Sequence, residues 1–357
     1  MRNRNQFAVI IDPRSSYAYG SLYIYGLIAL FGKENVKFSM KPFIELSDAG
    51  WNIRFIVVND SVTKYYIHTG DDYMIHERDY QWCDVYGHVN ANFKKTLQSD
   101  YPKVVSLVPS FGIKPFSDYQ AFSMAIHNFL IAMPIILRRT EWNKYTNEEE
   151  VRPFKNVKHH FTRIFKTNKG RLPYSEYSNS CISDDDYVFF CSTLWYDHPD
   201  NQNDAGVNLR RANFMRVCKS IPNIVFEGGF VADATSSKDK FGDLLTNGVS
   251  LSEWIAKTKR SAFVFNTPAF WNCHGWKLGE YLALGKCIIS TPLYNDLPAP
   301  LEHGVHIHYV EPAIDALHEA ITYVLSHKDY RQKLEQNAKA YWEKYGTPEQ
   351  ALHLLGL

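Results

Sequence analysis

The sequence predicts an α/β protein, and two observations carry that expectation. Short runs rich in β-branched and aromatic residues alternate with longer apolar helical segments, the order that builds sheets covered by helices. At 357 residues the chain is also long enough for two separately cored units. Hydrophobic residues make up 45% and charged residues 22%, an ordinary globular balance that points to neither disorder nor fibrous structure.

The N-terminal half is expected to be rich in strands. The first covers residues 7–12 and ends at Asp12-Pro13; a loop at 14–20 leads into a helix at 21–31. Residues 15–32 carry no charge and approach spanning length, but their glycines and tyrosines favour a buried helix. Further strands are expected at 36–43, 53–59, 64–69, 85–89 and 104–108, and a helix at 118–137 with Arg138-Arg139 at its end.

Residues 170–186 mix Pro, Ser, Asn, Gly and acids and read as a linker, after which a strand at 187–193 opens a second sheet. Ser250 and Glu253 form a capping box for a helix at 251–259. A polar helix at 329–345 ends at Gly346, and Thr347-Pro348 starts another with a cap and Pro at its first position. The expected division is 1–178, 179–335 and a helical tail, 336–357.

Residues 261–291 concentrate the functional signal. Two apolar strands, 262–266 and 287–291, enclose a helix ended by Gly285, which implies a parallel βαβ unit. The intervening loop, 267–275, is long for such a unit, and excess loop at a strand's carboxyl end serves a ligand. Lys277 falls in the first helical turn, where the macrodipole disfavours a cation by roughly 0.3–1 kcal/mol. A bound diphosphate would reverse that cost, because the free N–H groups of the helix start and the ammonium would converge on it. Gly275 precedes that turn, and Glu280, one turn later, could accept two hydrogen bonds from a ribose diol. Trp271, His274 and Trp276 could stack on or hydrogen-bond to a sugar or phosphate. A solvated Lys277/Glu280 pair and core aromatics are the structural alternatives.

Glu280-Tyr-Leu-Ala-Leu-Gly-Lys-Cys-Ile-Ile resembles the signature of the nucleotide-sugar half of GT-B glycosyltransferases, and the run 223–231 resembles that family's strand and glycine before the base-binding loop. The resemblance covers residues 186–345. It implies two Rossmann-like domains with parallel sheets facing a cleft, and terminal helices that cross back to the first domain. It further implies a nucleotide-diphosphate sugar as donor, a glycan or lipid-linked acceptor, and a role in surface polysaccharide synthesis. Asn272 stands where many retaining members carry a Glu, eight positions before Glu280, so the stereochemical outcome stays open. Gly20, in Tyr19-Gly20-Ser21, resembles the glycine loop that faces the donor diphosphate. Arg210, with Arg211 beside it, could reach a phosphate. Thr193, Gly229 and Asn266 complete the candidate donor residues. Asp12 and His88 are the candidate bases for an inverting reaction.

Several classes are disfavoured. A formal net charge of +1 gives no global attraction to nucleic acid. The loop at 14–20 lacks the glycine fingerprint of a dinucleotide oxidoreductase. The acidic run 184–186 lies before a strand and reads as solvated, so no resident metal or other cofactor is expected. The six cysteines include no C-x-x-C pair and read as reduced thiols. The N-terminal apolar run is too short for a signal peptide, so cytoplasmic placement is expected. From 152 to 171 seven cations occur without an acid, interleaved with apolar residues at helical spacing. This segment is expected either to meet an anionic membrane surface or to pack on the first domain with a solvated basic face. A GT-B type epimerase and a non-catalytic nucleotide-sugar binding protein remain the rival functions.

Overall fold

The computed structural model describes residues 8–46, 49–95, 100–137, 162–179, 182–195, 205–232 and 240–357. The first unit is a six-stranded sheet of β1 (Ala8–Ile11), β2 (Val36–Phe38), β3 (Ile53–Val58), β4 (Val62–His68), β5 (Val85–His88) and β6 (Val104–Ser106), in the order β2-β1-β3-β4-β5-β6. The strand at 36–43 stops early because Lys41–Phe43 turns into a 3-10 helix at Pro42. Only β3 runs against its neighbours, so the expected all-parallel sheet is mixed here. The cause is local: the Asn59–Ser61 reversal, closed by the Asn59 N–H to Ser61 carbonyl bond, joins β3 and β4 as a hairpin, which must be antiparallel.

α1 (Tyr17–Phe31) follows β1 and is largely buried, as its uncharged sequence requires. It starts four residues before the expected helix, because the Ser16 hydroxyl accepts from the Tyr19 N–H and caps it. α2 (Glu77–Trp82) precedes β5, and α3 (Asp118–Leu137) has the bounds read from the sequence.

The second unit contains β7 (Tyr187–Thr193), α4 (Ala205–Ser220), β8 (Val225–Val231), α5 (Leu251–Arg260), β9 (Val264–Asn266), α6 (Trp276–Ala283), β10 (Ile288–Ser290), β11 (His308–Tyr309) and α7 (Ile314–Ser326). β7 pairs in parallel with β8, and β9, β10 and β11 form a parallel triplet. The two sheets meet at β7 and β9, where the Ala262 N–H donates to the Tyr187 carbonyl at 2.7 Å. The capping box at Ser250 is formed by both of its reciprocal bonds.

α8 (Lys328–Tyr345) packs along α6, and α9 (Pro348–His353) returns to α1. Ala351, Leu352 and Leu355 join Val9, Tyr23 and Leu27 in the first unit's core. Gly26 permits that seat, since a Cβ there would lie 2.4 Å from the Pro348 carbonyl oxygen. A separate apolar cluster joins the units: Leu22, Val108 and Phe111 pack with Leu278, Tyr281 and Trp342. Gly279 is required at this contact because its Cβ would sit 2.1 Å from the Pro109 oxygen. Among the described residues no helix is long and apolar enough to cross a membrane.

Candidate functional site

A cavity of about 430 Å³ opens where the carboxyl ends of β7 and β9 diverge. The chain leaves β7 toward β8 on one side and returns as β9 on the other, so this is a topological switch point, where α/β sheets bind ligands. Cys191, Ser192 and Thr193 line one side, Asn266 and Thr267 the other. His274, Gly275, Trp276 and Lys277 close it from the start of α6, while Arg211, Val249 and Trp254 come from elsewhere in the unit.

α6 begins at Gly275, whose φ of 59° is left-handed, and no side chain caps its free N–H groups. Lys277 projects from this turn to the Cys191 carbonyl at 2.5 Å, with its ammonium 4.5 Å from the centre of the Phe190 ring. Burial, reinforced by the Arg211 charge, lowers Lys277 to about 7. Arg211 is 7% exposed, donates to the Thr193 carbonyl at 3.5 Å, and is lowered to about 10 by burial. Two cations thus share a desolvated wall with a helix N-terminus, a set of charges complementary to a diphosphate.

His274 is 1% exposed, and neither ring nitrogen has a hydrogen-bond partner. Backbone groups of Asn295 and Asp296 approach the ring without meeting hydrogen-bond geometry. Burial lowers its pKa to about 4, so the ring is neutral. Unsatisfied buried polar groups in a cavity wall are rare and signal a missing partner. The loop before it is strained as well. Trp271 and Asn272 have φ of 49° and 60°, a region Asn tolerates but one that costs Trp271 roughly 1–2 kcal/mol.

Several expected donor residues have other positions. Gly20 lies inside α1, where it admits the Ile53 side chain; its neighbour Tyr19 instead meets Trp276 edge-on at 4.7 Å and Trp51 at 5.3 Å. Gly229 does not line the cavity: its Cβ would lie 2.2 Å from the Leu244 oxygen, so it serves strand packing. Arg210 braces the loop by donating to the Thr267 hydroxyl at 2.9 Å, and Arg211 is the arginine that faces the cavity. Asn272 accepts through its carbonyl from Asn295 at 3.2 Å and stands outside the lining. Glu280 is 8% exposed, lies outside the lining as well, and is raised to about 7 by burial against the pull of Lys277 and Arg171. The Arg171 guanidinium stacks 4.7 Å from the Trp276 ring centre, a partner that sequence spacing did not reveal.

Neither candidate base faces the cavity. Asp12 is fully buried and accepts from Arg14 at 2.9 and 3.0 Å, with Arg54 at 3.6 Å, so both oxygens hold the loop after β1. His88 is also fully buried and kept neutral by burial. Its Nδ1 accepts from the Asn90 N–H at 3.1 Å, which leaves the proton on Nε2, directed at His68 Nδ1 at 3.1 Å. His68 therefore carries its own proton on Nε2, 3.7 Å from Asp72. Ligand atoms of His68, Asp72 and His76 lie within 4.8 Å of one another, and a metal bound there would have to displace that proton. The sequence missed an acid on the first unit that meets the second: Asp71, exposed and outside the cavity lining, lies against the Cys273 thiol, and partial desolvation raises its carboxyl.

The two sheets confront each other across this cleft. Asn90 accepts from the His274 N–H at 2.8 Å and from the Asn295 amide at 3.3 Å. Ala91 accepts from the Asp296 N–H at 2.7 Å, and the Ser106 hydroxyl donates to the Asp296 carbonyl at 2.9 Å. Two α/β units joined by their carboxyl edges, with a tail helix recrossing, make a recognisable architecture. It is the GT-B arrangement.

No protein-family model and no curated protein matches the chain. Solved structures similar to this chain include the C-terminal domain of LpcC, a glycosyl transferase group 1 family protein from Francisella tularensis, at 13% identity and TM-score 0.32 over 48% of this chain and 89% of that one. S. aureus MnaA with UDP matches at 10% identity and TM-score 0.38, over 78% of this chain and 60% of that one. WaaG, a glycosyltransferase involved in lipopolysaccharide biosynthesis, matches at 13% and 0.36, over 81% and 77%. Residues 152–161 of the basic segment, Arg138-Arg139 and the polar loop 197–204 lie outside the described residues.

Proposed function

We propose that this protein is a glycosyltransferase that holds a nucleotide-diphosphate sugar in the switch-point cavity and passes the sugar to a glycan or lipid-linked acceptor on the first unit. The observation that carries the reading is the convergence of Lys277, Arg211 and the uncapped start of α6 on a cavity whose wall also holds the unpartnered His274. In the transfer, the acceptor oxygen bonds to the anomeric carbon as the bond from that carbon to the diphosphate oxygen breaks, and the leaving group departs with the electron pair. Its developing charge meets the two cations and the helix amides, preorganised in a site of low polarity, the largest usual catalytic contribution. Asp71 would take the acceptor proton in an inverting reaction, and Tyr19, Trp51 and Trp276 supply ring faces for sugar. The acceptor would belong to surface polysaccharide synthesis.

The test is a thermal-shift screen of wild type and Lys277→Met against nucleoside diphosphates and their sugars, followed by transfer assays. Saturation at 100 times Kd adds about 2.7 kcal/mol of stability. A shift with one base that Lys277→Met abolishes supports the reading; no shift with any nucleotide overturns it. Conversion of donor alone, without an acceptor, would point to an epimerase.

A further inference from the structure

The Arg171 guanidinium is held firmly in place, yet no anion holds it there. Its backbone is fixed on both sides: the Arg171 N–H donates to the Asn168 carbonyl at 3.2 Å, and the Leu172 carbonyl accepts from the Lys114 N–H at 2.8 Å. Asn168 is fully buried; its side chain accepts from the Tyr17 hydroxyl at 2.8 Å and donates to the Phe116 carbonyl at 3.1 Å. The Arg171 side chain then passes over Gly112, where a Cβ would lie 2.6 Å from the Arg171 Nε and 2.9 Å from the Ala18 oxygen. The missing side chain at Gly112 is the slot that delivers the guanidinium to the Trp276 ring, 4.7 Å from its centre.

Stacking engages the faces of a guanidinium and leaves its in-plane N–H groups for hydrogen bonds. Among the described residues those groups have no hydrogen-bond or ion-pair partner. Glu280, one turn after Trp276 on α6, feels the Arg171 charge without forming an ion pair with it. Lys277 and Arg211 line the donor cavity, whereas Arg171 is anchored on the first unit and stands outside that lining. Its neighbours are ring faces. Tyr19 meets the same Trp276 ring edge-on at 4.7 Å and meets Trp51, which is 64% exposed, at 5.3 Å. Burial raises the Tyr19 phenol, and the charges of Asp71 and Arg171 act on it with opposite sign, so a carboxylate and a guanidinium flank one aromatic surface. Ring faces cover the C–H surface of a sugar, and a free guanidinium fork matches the two oxygens of a carboxylate or phosphate.

We infer that Arg171 is a specificity-determining residue that selects an acidic sugar as acceptor, its ring lying on Tyr19 and Trp51 and its carboxylate or phosphate ester meeting the Arg171 fork. A neutral sugar would leave that fork to water and gain nothing from it, so the charge is what discriminates. The acceptor role rests on the proposed transfer; the preference for an acidic sugar does not.

The experiment is saturation-transfer NMR of the full chain with the methyl glycosides of glucose and galactose, their uronates and their 6-phosphates, beside inorganic phosphate. Thermal melting and the nucleotide shift are recorded on the same samples. Wild type is expected to bind at least one acidic sugar at least tenfold more tightly than its neutral parent. A uronate that outbinds the matching phosphate identifies a carboxylate, and the reverse order identifies a phosphate ester. Arg171→Met should remove the preference for acid, while Arg171→Lys, which keeps the charge and loses the fork, should keep part of it. Both variants should melt as wild type does and keep the nucleotide shift. Equal binding of acidic and neutral sugars, a preference that survives Arg171→Met, or inorganic phosphate bound as tightly as the sugar phosphates overturns the inference. So does loss of the nucleotide shift in Arg171→Met, which would make Arg171 a ligand of the donor. No nucleotide shift in wild type overturns the proposed transfer instead, and the preference for acid is still read.

Discussion

If the cavity holds a nucleotide as proposed, Lys277 couples its binding to proton uptake. In the free protein burial and the Arg211 charge hold this amine at about 7, whereas an unburied lysine titrates near 10.4. A diphosphate bound at the start of α6 favours the ammonium and raises that value again. The sign follows: above pH 7 the free site is mostly neutral, so binding must take up a proton, about 0.9 of one at pH 8 and about 0.1 at pH 6 from this group alone. Apparent affinity is then nearly flat below pH 6 and falls about tenfold per unit at higher pH, or about 50-fold from pH 7 to 9. Glu280, raised to about 7 by burial, adds uptake of the same sign, because a nearby diphosphate disfavours its ionised form. Titration calorimetry of a nucleotide sugar in buffers of different ionisation enthalpy measures the uptake directly, and the nucleotide sugar's own phosphates do not titrate in this range. Lys277→Met should weaken binding and flatten its dependence between pH 7 and 9. Wild-type affinity independent of pH between 6 and 9, or proton release on binding, would refute the reasoning.

Three further outcomes are expected. His274→Phe removes two buried unsatisfied nitrogens, each of which costs roughly 1–3 kcal/mol, so urea unfolding of the ligand-free protein should show equal or higher stability while the nucleotide-induced thermal shift shrinks. Gly279→Ala sets a Cβ against the Pro109 oxygen at 2.1 Å and should destabilise the joined units by about 1–3 kcal/mol, read as a lower urea midpoint. Asp71→Asn should leave nucleotide binding unchanged and lower transfer to a hydroxyl acceptor at least a hundredfold, whereas azide, which has no proton to lose, should still accept the sugar.

Much of the site was legible in the chain order. The loop and helix start at 267–277 announced themselves by excess length, a lysine in an unfavourable turn and a glycine before it, and Gly275, Trp276, Lys277 and His274 all line the cavity. These signals are local, so spacing alone expresses them. The misplacements share a different cause. Asp12 and His88 sit at strand ends, where bases are sought, but both are consumed by partners that spacing does not announce: Arg14, two residues on, with Arg54 for Asp12, and His68 for His88. Gly20 and Gly229 look like ligand glycines until the Ile53 side chain and the Leu244 carbonyl are seen to occupy the space beside them.

The sequence by itself determined most strands and helices and the place of the long loop at a strand's carboxyl end, because capping, hydrophobic period and loop length act within a few residues; the return of the tail came from the family resemblance. Tertiary structure alone decided that Arg211 rather than Arg210 meets the cavity, that Asp71 faces the second unit, and that Lys277 loses its solvent. Each of these depends on desolvation or on contact between segments far apart in sequence, and such terms exist only once those segments have packed together.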